Sequence, residues 1–229
     1  MPQSVDRARS VRSYVMRAGR ITDAQQRALQ DLWPRFGVDF ATHTLDLDRL
    51  FGRHARRTLE IGFGNGEHLL ECAAAAPDGD FLGIEVHRPG VGHLLLGAAQ
   101  AGIGNLRVLA HDAVEVLELQ IPPASIDTLA LLFPDPWPKK RHHKRRLVSP
   151  AFVELAASRL KPGARMHLAT DWEPYASHML EVLGACTALV NCAPGGGFLD
   201  SGLARTATRF ERRGERLGHR VRELLYQHR

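Results

Sequence analysis

The chain is poor in cysteine. Cys72, Cys186 and Cys192 are its only three, and their spacing is neither that of a zinc site nor that of a disulfide framework. Buried or inert thiols in a reducing compartment are the simplest reading. Long apolar runs are also missing, since nothing approaches the roughly 18 consecutive apolar residues of a membrane span. The first twenty residues, Met1 to Arg20, lack the apolar core of a secretory signal. A cytoplasmic protein with no membrane partner is expected. Acid is absent from one stretch where it would be conspicuous: Lys139 to Arg146 holds six Lys or Arg and two His without a single Asp or Glu.

What is present suits one domain. At 229 residues, 44% of them hydrophobic, a core of useful size is available. The expected organisation is a mobile basic arm over residues 1–20, followed by a single domain over residues 21–229. The net charge is +5, but the cations are segregated. Arg7, Arg9, Arg12, Arg17 and Arg20 form one cluster, Lys139 to Arg146 a second, and Arg205, Arg209, Arg212, Arg213, Arg216, Arg220, Arg222 and Arg229 a third. Segregated cations read as a nucleic-acid footprint, with tRNA or another RNA the natural partner. A merely solvated basic surface is the alternative for any one cluster.

Periodicity predicts alternating strands and helices. Thr22 and Gln25 form a capping box for a first helix that Pro34 and Gly37 end. Asp39 to Phe51 reads as a linker or short helix. Strands are expected over Thr58–Ile61, Asp80–Val86, Leu106–Ala110, Ile126–Phe133 and Arg165–Thr170, with a candidate sixth over Thr187–Asn191. Helices are expected over Glu67–Ala76, Pro89–Ala101, Ala113–Leu119, from Ser149-Pro150 to Leu160, and over Glu173–Leu183. Thr206–Arg213 reads as a strand and Val221–Gln227 as strand or helix. The fold class is therefore α/β: a mostly parallel central sheet with helices on both faces and a C-terminal antiparallel strand. Ligands in such folds bind beyond the carboxyl ends of the strands.

The candidate chemistry lies at those ends. Glu60-Ile-Gly-Phe-Gly-Asn-Gly66 joins the first strand of the regular part to its helix, and Gly62, Gly64 and Gly66 let a ligand approach the backbone. A dinucleotide fingerprint needs Gly or Ala where this chain has Glu67, and a carboxylate there disfavours pyrophosphate. Glu60 points the same way. A ligand with a cationic part and no phosphate, such as S-adenosylmethionine, suits the loop. Glu85 ends the second strand, where such folds place the carboxylate that binds ribose hydroxyls. Asp112 follows the third and can accept from an adenine amino group. Each acid taken singly reads more readily as a helix cap or a surface charge, but placed in register after three successive strands they support one another.

Phe133-Pro-Asp-Pro-Trp137 follows the fourth strand, so Asp135 sits between two prolines at the head of the basic stretch. Chemistry at the turn and a polyanion held by the stretch is the reading this order suggests. Trp137 can stack on a base or pack beneath the turn. Lys139 can bind a phosphate, and Asp171, after the fifth strand, can accept from a base or cap a helix. His142 and His143 have no further ligands at metal-site spacing, so phosphate or solvent is the expected contact and no metal is expected.

Together these residues resemble the tRNA (guanine-N7-)-methyltransferase family. The likeness runs from Arg12-Ser-Tyr-Val-Met-Arg-Ala-Gly-Arg20 through Leu59 to Gly66, Gly83 to His87, Phe133 to Trp137, Arg141 to Arg146 and Thr170-Asp-Trp172 to Thr208-Arg-Phe-Glu211. The resemblance implies a Rossmann-like class I methyltransferase that transfers a methyl group from S-adenosylmethionine to N7 of a guanine in the tRNA variable loop, usually position 46. It implies that Glu60, Gly62, Gly64, Gly66, Glu85, Asp112 and Asp135 hold the donor, with Asp135 at the catalytic position. Lys139, Asp171, Thr208, Arg209, Phe210 and Glu211 would contact the substrate, and Arg141, His142, His143, Lys144, Arg145 and Arg146 the RNA. Arg209 departs from the lysine often found there. A monomer or homodimer without an obligate protein partner is expected. The competing readings are an RNA-binding protein without catalysis, a nicotinamide oxidoreductase disfavoured by Glu67, and a methyltransferase acting on an exocyclic base amine.

Overall fold

The computed structural model describes residues 12–14, 20–199 and 220–229. Most of the basic arm lies outside them, as does the expected strand Thr206–Arg213 with Thr208, Arg209, Phe210 and Glu211. The chain opens with α1 (Asp23–Asp31), α2 (Trp33–Phe36), the short strand β1 (Gly37–Val38) and α3 (Leu47–Phe51). It continues with β2 (Arg57–Ile61), α4 (Glu67–Ala75), β3 (Asp80–Ile84), α5 (Arg88–Gln100), β4 (Leu106–Leu109), α6 (Ala113–Leu119) and β5 (Ile126–Leu132). A 3-10 helix (Lys140–Arg145) precedes α7 (Pro150–Arg159), β6 (Leu160–Thr170), α8 (Glu173–Ala185), β7 (Leu189–Asn191) and β8 (Arg222–His228).

The capping box at Thr22 forms as expected, with the Thr22 hydroxyl accepting from the Gln25 amide and the Gln25 side chain accepting from the Thr22 amide. Ser149 caps α7, and Pro150 costs no helical donor there. Two expectations need correcting. Pro162 and Gly163 do stop α7 but lie within β6, which starts earlier than the apolar run because its first residues pair with Ile126 across a register shift. β1 has no counterpart in the sequence reading; two residues give no alternation to detect, and pairing with Val108 and Leu109 alone defines it.

The strand order is β1-β4-β3-β2-β5-β6-β8-β7. The pairs from β1 through β6 are parallel, and β8 runs antiparallel to both β6 and β7. Arg222–His228 is thus the C-terminal antiparallel strand. The chain leaves β2 first towards β3 and β4 and later towards β5 and β6. The crevice between β2 and β5 is therefore the switch point where doubly wound sheets bind ligands. Apolar layers form on the two faces, one including Leu59, Leu129, Met179 and Tyr226, the other Leu69, Phe81, Leu94 and Val108. Ion pairs Arg53–Asp80 and Lys161–Asp127 gather at the opposite end of the sheet from the crevice, where the strands begin.

Packing is close where β3 meets the glycine loop and α4. A Cβ on Gly83 would lie 2.6 Å from the Phe63 ring and 2.7 Å from a Leu69 methyl. Gly83→Ala is therefore expected to destabilise the fold by about 1–3 kcal/mol, read as a lower urea midpoint with an unchanged slope.

Candidate functional site

One crevice at the carboxyl ends of β2, β3, β4 and β5 gathers the expected chemistry. Its lining includes Gly62, Gly64, Glu85, His111 and Asp135, with Ile61, Ile84 and Leu131 as its floor. The glycine loop turns tightly: φ is 72° at Gly62, 59° at Gly64 and 79° at Gly66, all in the left-handed region that favours glycine.

Glu85 ties this loop to the next. Its Oε2 accepts from the Gly64 amide at 2.8 Å, and its Oε1 accepts from the Val86 and His87 amides at 2.7 and 2.8 Å. A carboxylate with three amide donors is fixed in direction, and it faces the crevice. Asp112 caps α6, accepting from the Val114 amide at 2.8 Å. It also faces Tyr14, whose hydroxyl is pushed up in pKa first by burial and then by the Asp112 carboxylate. Capping and ligand binding are thus compatible, since a carboxylate has lone pairs for both.

The turn after β5 is built from unusual backbone. The Phe133 amide still donates to Ala169 O at 2.8 Å, so the strand ladder extends one bond past Leu132. Phe133 then adopts φ 52° and Trp137 φ 44°, a left-handed conformation uncommon for residues with side chains. Pro134 and Pro136 fix the intervening torsions. The result puts exposed Asp135 at the crevice wall. Left-handed aromatic residues on both sides of one carboxylate mark a site where the fold sustains strain.

Trp137 packs under the turn. Its indole N–H donates to Ser13 O at 3.0 Å, and the Arg145 guanidinium lies 5.0 Å above its ring. His142 meets the ring edge-on at 5.7 Å. The basic stretch is a 3-10 helix rather than an extended arm. Lys139, Arg141 and Lys144 are exposed along it, and His142 and His143 are half-buried. Slight desolvation and then the charges of Arg141, Arg145 and Lys139 hold His142 below the usual imidazole range.

Arg146 departs from the expected RNA-facing set. It is 8% exposed, donates from Nε to Pro136 O at 3.0 Å, and lies 4.8 Å over the buried Tyr175 ring. Its cation clamps the Asp135 turn from beneath. Asp171 follows β6, and the residue that caps α8 is Trp172, whose amide donates to the Thr170 hydroxyl at 3.3 Å. Neither Asp171 nor Lys139 lines the crevice.

Glu60 also departs from expectation. It is buried, lies outside the crevice lining, and accepts from His68 Nδ1 at 2.8 Å. His68 Nε2 lies 3.5 Å from the Cys72 sulfur. Desolvation opposes the imidazolium, but the bonds to Cys72 and Glu60 outweigh it and push the His68 pKa up to about 10. The acid at the head of the glycine loop is therefore paired inside the protein.

Sequence reasoning missed four polar crevice residues: Ser13, Tyr14, His87 and His111. Ser13 and Tyr14 lie in the stretch expected to be a mobile arm. His111 stacks on Phe40 with ring centroids 3.6 Å apart and touches Glu115 through Nε2 at 2.5 Å. Its place beside Asp112 was the available signal. Among the described residues no group of three or more His, Cys, Asp or Glu is placed to hold a metal ion, and no helix is long and apolar enough to cross a membrane.

The His68–Glu60 pair carries a pH signature. A folded-state pKa above the ordinary imidazole value of 6.5 adds stability that is complete below pH 6.5 and is lost as pH rises through about 10. His68→Gln should remove that slope. The check is the urea midpoint of both proteins between pH 6.5 and 10, where the wild type is expected to lose its advantage progressively.

Comparison with known proteins agrees with this geometry. Residues 54–224 match the family model described as "Putative methyltransferase". A tRNA (guanine-N(7)-)-methyltransferase of Pseudomonas aeruginosa is 55% identical over 219 residues, covering 96% of this chain and 90% of that protein. The protein of the same name from Leifsonia xyli is 57% identical over 215 residues, covering 94% of each. Among solved structures, the 16S rRNA methyltransferase KamB aligns with a TM-score of 0.58 at 19% identity, over 85% of this chain and 98% of that one. TrmN from Thermus thermophilus aligns with a TM-score of 0.53 at 18% identity, over 80% of this chain and 47% of its own. These two share the fold. Full-length identity above one half settles the family: the chain belongs to the tRNA (guanine-N(7)-)-methyltransferases.

Proposed function

We propose that this protein transfers a methyl group from S-adenosylmethionine to N7 of a guanine in the tRNA variable loop, position 46. The observation that carries the reading is one crevice lined jointly by the glycine loop, Glu85 and the Asp135 turn. The close relatives named for this reaction support the choice of atom and substrate.

The residues present fit the donor. Carboxylates and apolar side chains line the crevice, and a ligand with a cationic part and a flat ring matches both. Glu85 would receive the ribose hydroxyls on the lone pairs its three amides leave, and Asp112 the adenine amino group. Gly62 and Gly64 would admit the rest of the donor against bare backbone, while Gly66, outside the crevice lining, packs against Leu94. Glu60 acts from behind this loop, through His68. When bound, S-adenosylmethionine supplies an electrophilic methyl group.

Guanine N7 carries a lone pair and no proton, so the protein need not supply a base. Its work is alignment of the base within the crevice. Methylated guanine is cationic, and Asp135, a residue of the crevice wall, would stabilise that charge as it develops or orient the base through N1 and N2. Lys139, Asp171 and Thr208 to Glu211 are proposed to contact the target nucleotide. The exposed cations Arg141 and Lys144 are the proposed phosphate contacts, with Arg145 held nearer Trp137. A phosphate beside His142 would offset the cations that now depress its charge. The basic residues 1–20 are proposed as an arm that joins the same RNA surface. Work in the cytoplasm, without a metal and as a monomer or homodimer, completes the proposal.

Labelled methyl transfer to tRNA lacking 7-methylguanosine, followed by digestion, tests the reading. Label in 7-methylguanosine is expected; label in another nucleoside would overturn the assignment while leaving the fold. A second check concerns the basic stretch. Replacing Arg141 and Lys144 with alanine should reduce the slope of log affinity for tRNA against log salt by roughly 0.7–0.9 for each phosphate that no longer meets a cation. An unchanged slope would remove these residues from the RNA surface.

A further inference from the structure

Three consecutive residues of the glycine loop meet three residues on one face of α5. A Cβ on Gly90 would lie 2.1 Å from Gly64 O, so only glycine lets the helix approach this closely. His93, three residues on, places Nδ1 3.0 Å from Asn65 O. The carbonyl accepts, so Nδ1 carries the proton. Leu94 packs on Gly66, where an added Cβ would stand 2.4 Å from a leucine methyl. On its other flank α5 abuts α1, since a Cβ on Gly92 would lie 2.8 Å from Gln25 O. The helix is wedged between α1 and the loop.

That loop needs a brace. Its three glycines hold left-handed conformations that they would otherwise leave at little cost. The Gly64 amide must point at Glu85 Oε2 to keep the carboxylate aimed into the crevice. Gly90 and Leu94 press on the loop without directing its peptide planes. The His93–Asn65 hydrogen bond acts on the peptide between Asn65 and Gly66 from its carbonyl side, while the Gly66 amide of the same peptide donates to Phe63 O at 2.8 Å.

We propose that His93 is a positioning residue for the methyl donor: by holding the Asn65 carbonyl it fixes the loop, and through the Gly64 amide it fixes Glu85. The proposal rests on the reading of the crevice as the donor site. His93 is exposed and lies outside the crevice lining, so its replacement leaves the core and the lining intact.

Two variants and two readouts test this. S-adenosylhomocysteine binding is measured by calorimetry, and amide hydrogen exchange over residues 62–66 is measured without ligand. His93→Ala should weaken S-adenosylhomocysteine roughly five- to tenfold, the worth of one hydrogen bond, and speed exchange in the loop. His93→Asn, whose amide nitrogen takes the place of Nδ1, should restore both. In turnover the alanine variant should raise the donor KM and leave kcat unchanged. Wild-type binding and wild-type exchange in His93→Ala overturn the proposal, as does a loss that asparagine does not rescue. If the wild-type protein does not bind S-adenosylhomocysteine, the donor reading itself fails, and the exchange data alone decide whether His93 braces the loop.

Discussion

A carboxylate fixed by three backbone amides sets the geometry of the crevice. Glu85 accepts from Gly64 in one loop and from Val86 and His87 in the next, so two connections that differ in sequence and direction become one rigid rim. The parallel register makes this possible. Ile61 and Ile84 are paired neighbours on β2 and β3, which brings the residues just beyond them to the same height. Without that register the glycine loop would have no partner for its central amide, and a left-handed glycine run would be free to rearrange.

On the facing side Asp135 is held by an equally fixed set of parts. The strand ladder runs one bond beyond β5 through the Phe133 amide. Proline on both sides, left-handed backbone at Phe133 and Trp137, and the Arg146 guanidinium bonded to Pro136 O then fix the turn. The cationic segment that follows divides by depth: Arg146 is committed to the turn, Arg145 covers Trp137, and Arg141 and Lys144 face solvent. Positioning at the turn and attraction at the surface thus come from successive residues of one short segment.

The fold and the rim were legible because they depend on periodicity and on position after a strand. Glu85, Asp112 and Asp135 each follow a strand by the expected number of residues, and a shared register brings two of them to the crevice wall and sets Asp112 between lining residues His111 and Ala113. Direction within a burial layer was not legible. Glu60 reads as a pocket acid from sequence but turns towards His68, a partner supplied by the first turn of α4. Arg146 reads as one more cation in a run, and only the placement of Tyr175 and Pro136 shows that it faces inward. Tyr14 was hidden by its setting in an arginine-rich segment, since composition describes the average of a stretch and not the residue that docks. β1 is too short for any pattern and exists only through its neighbour.

The central claim is that Asp135 acts on the reaction rather than on the fold or the donor site alone. Single-turnover methyl transfer to tRNA by Asp135→Asn, with S-adenosylhomocysteine affinity measured on the same preparation, tests it most directly. The substitution keeps the size of the side chain and removes its charge. The account predicts a rate lowered roughly a hundredfold or more, with ligand affinity changed far less. A rate equal to the wild type would contradict it, and so would a loss of ligand affinity as large as the loss of rate.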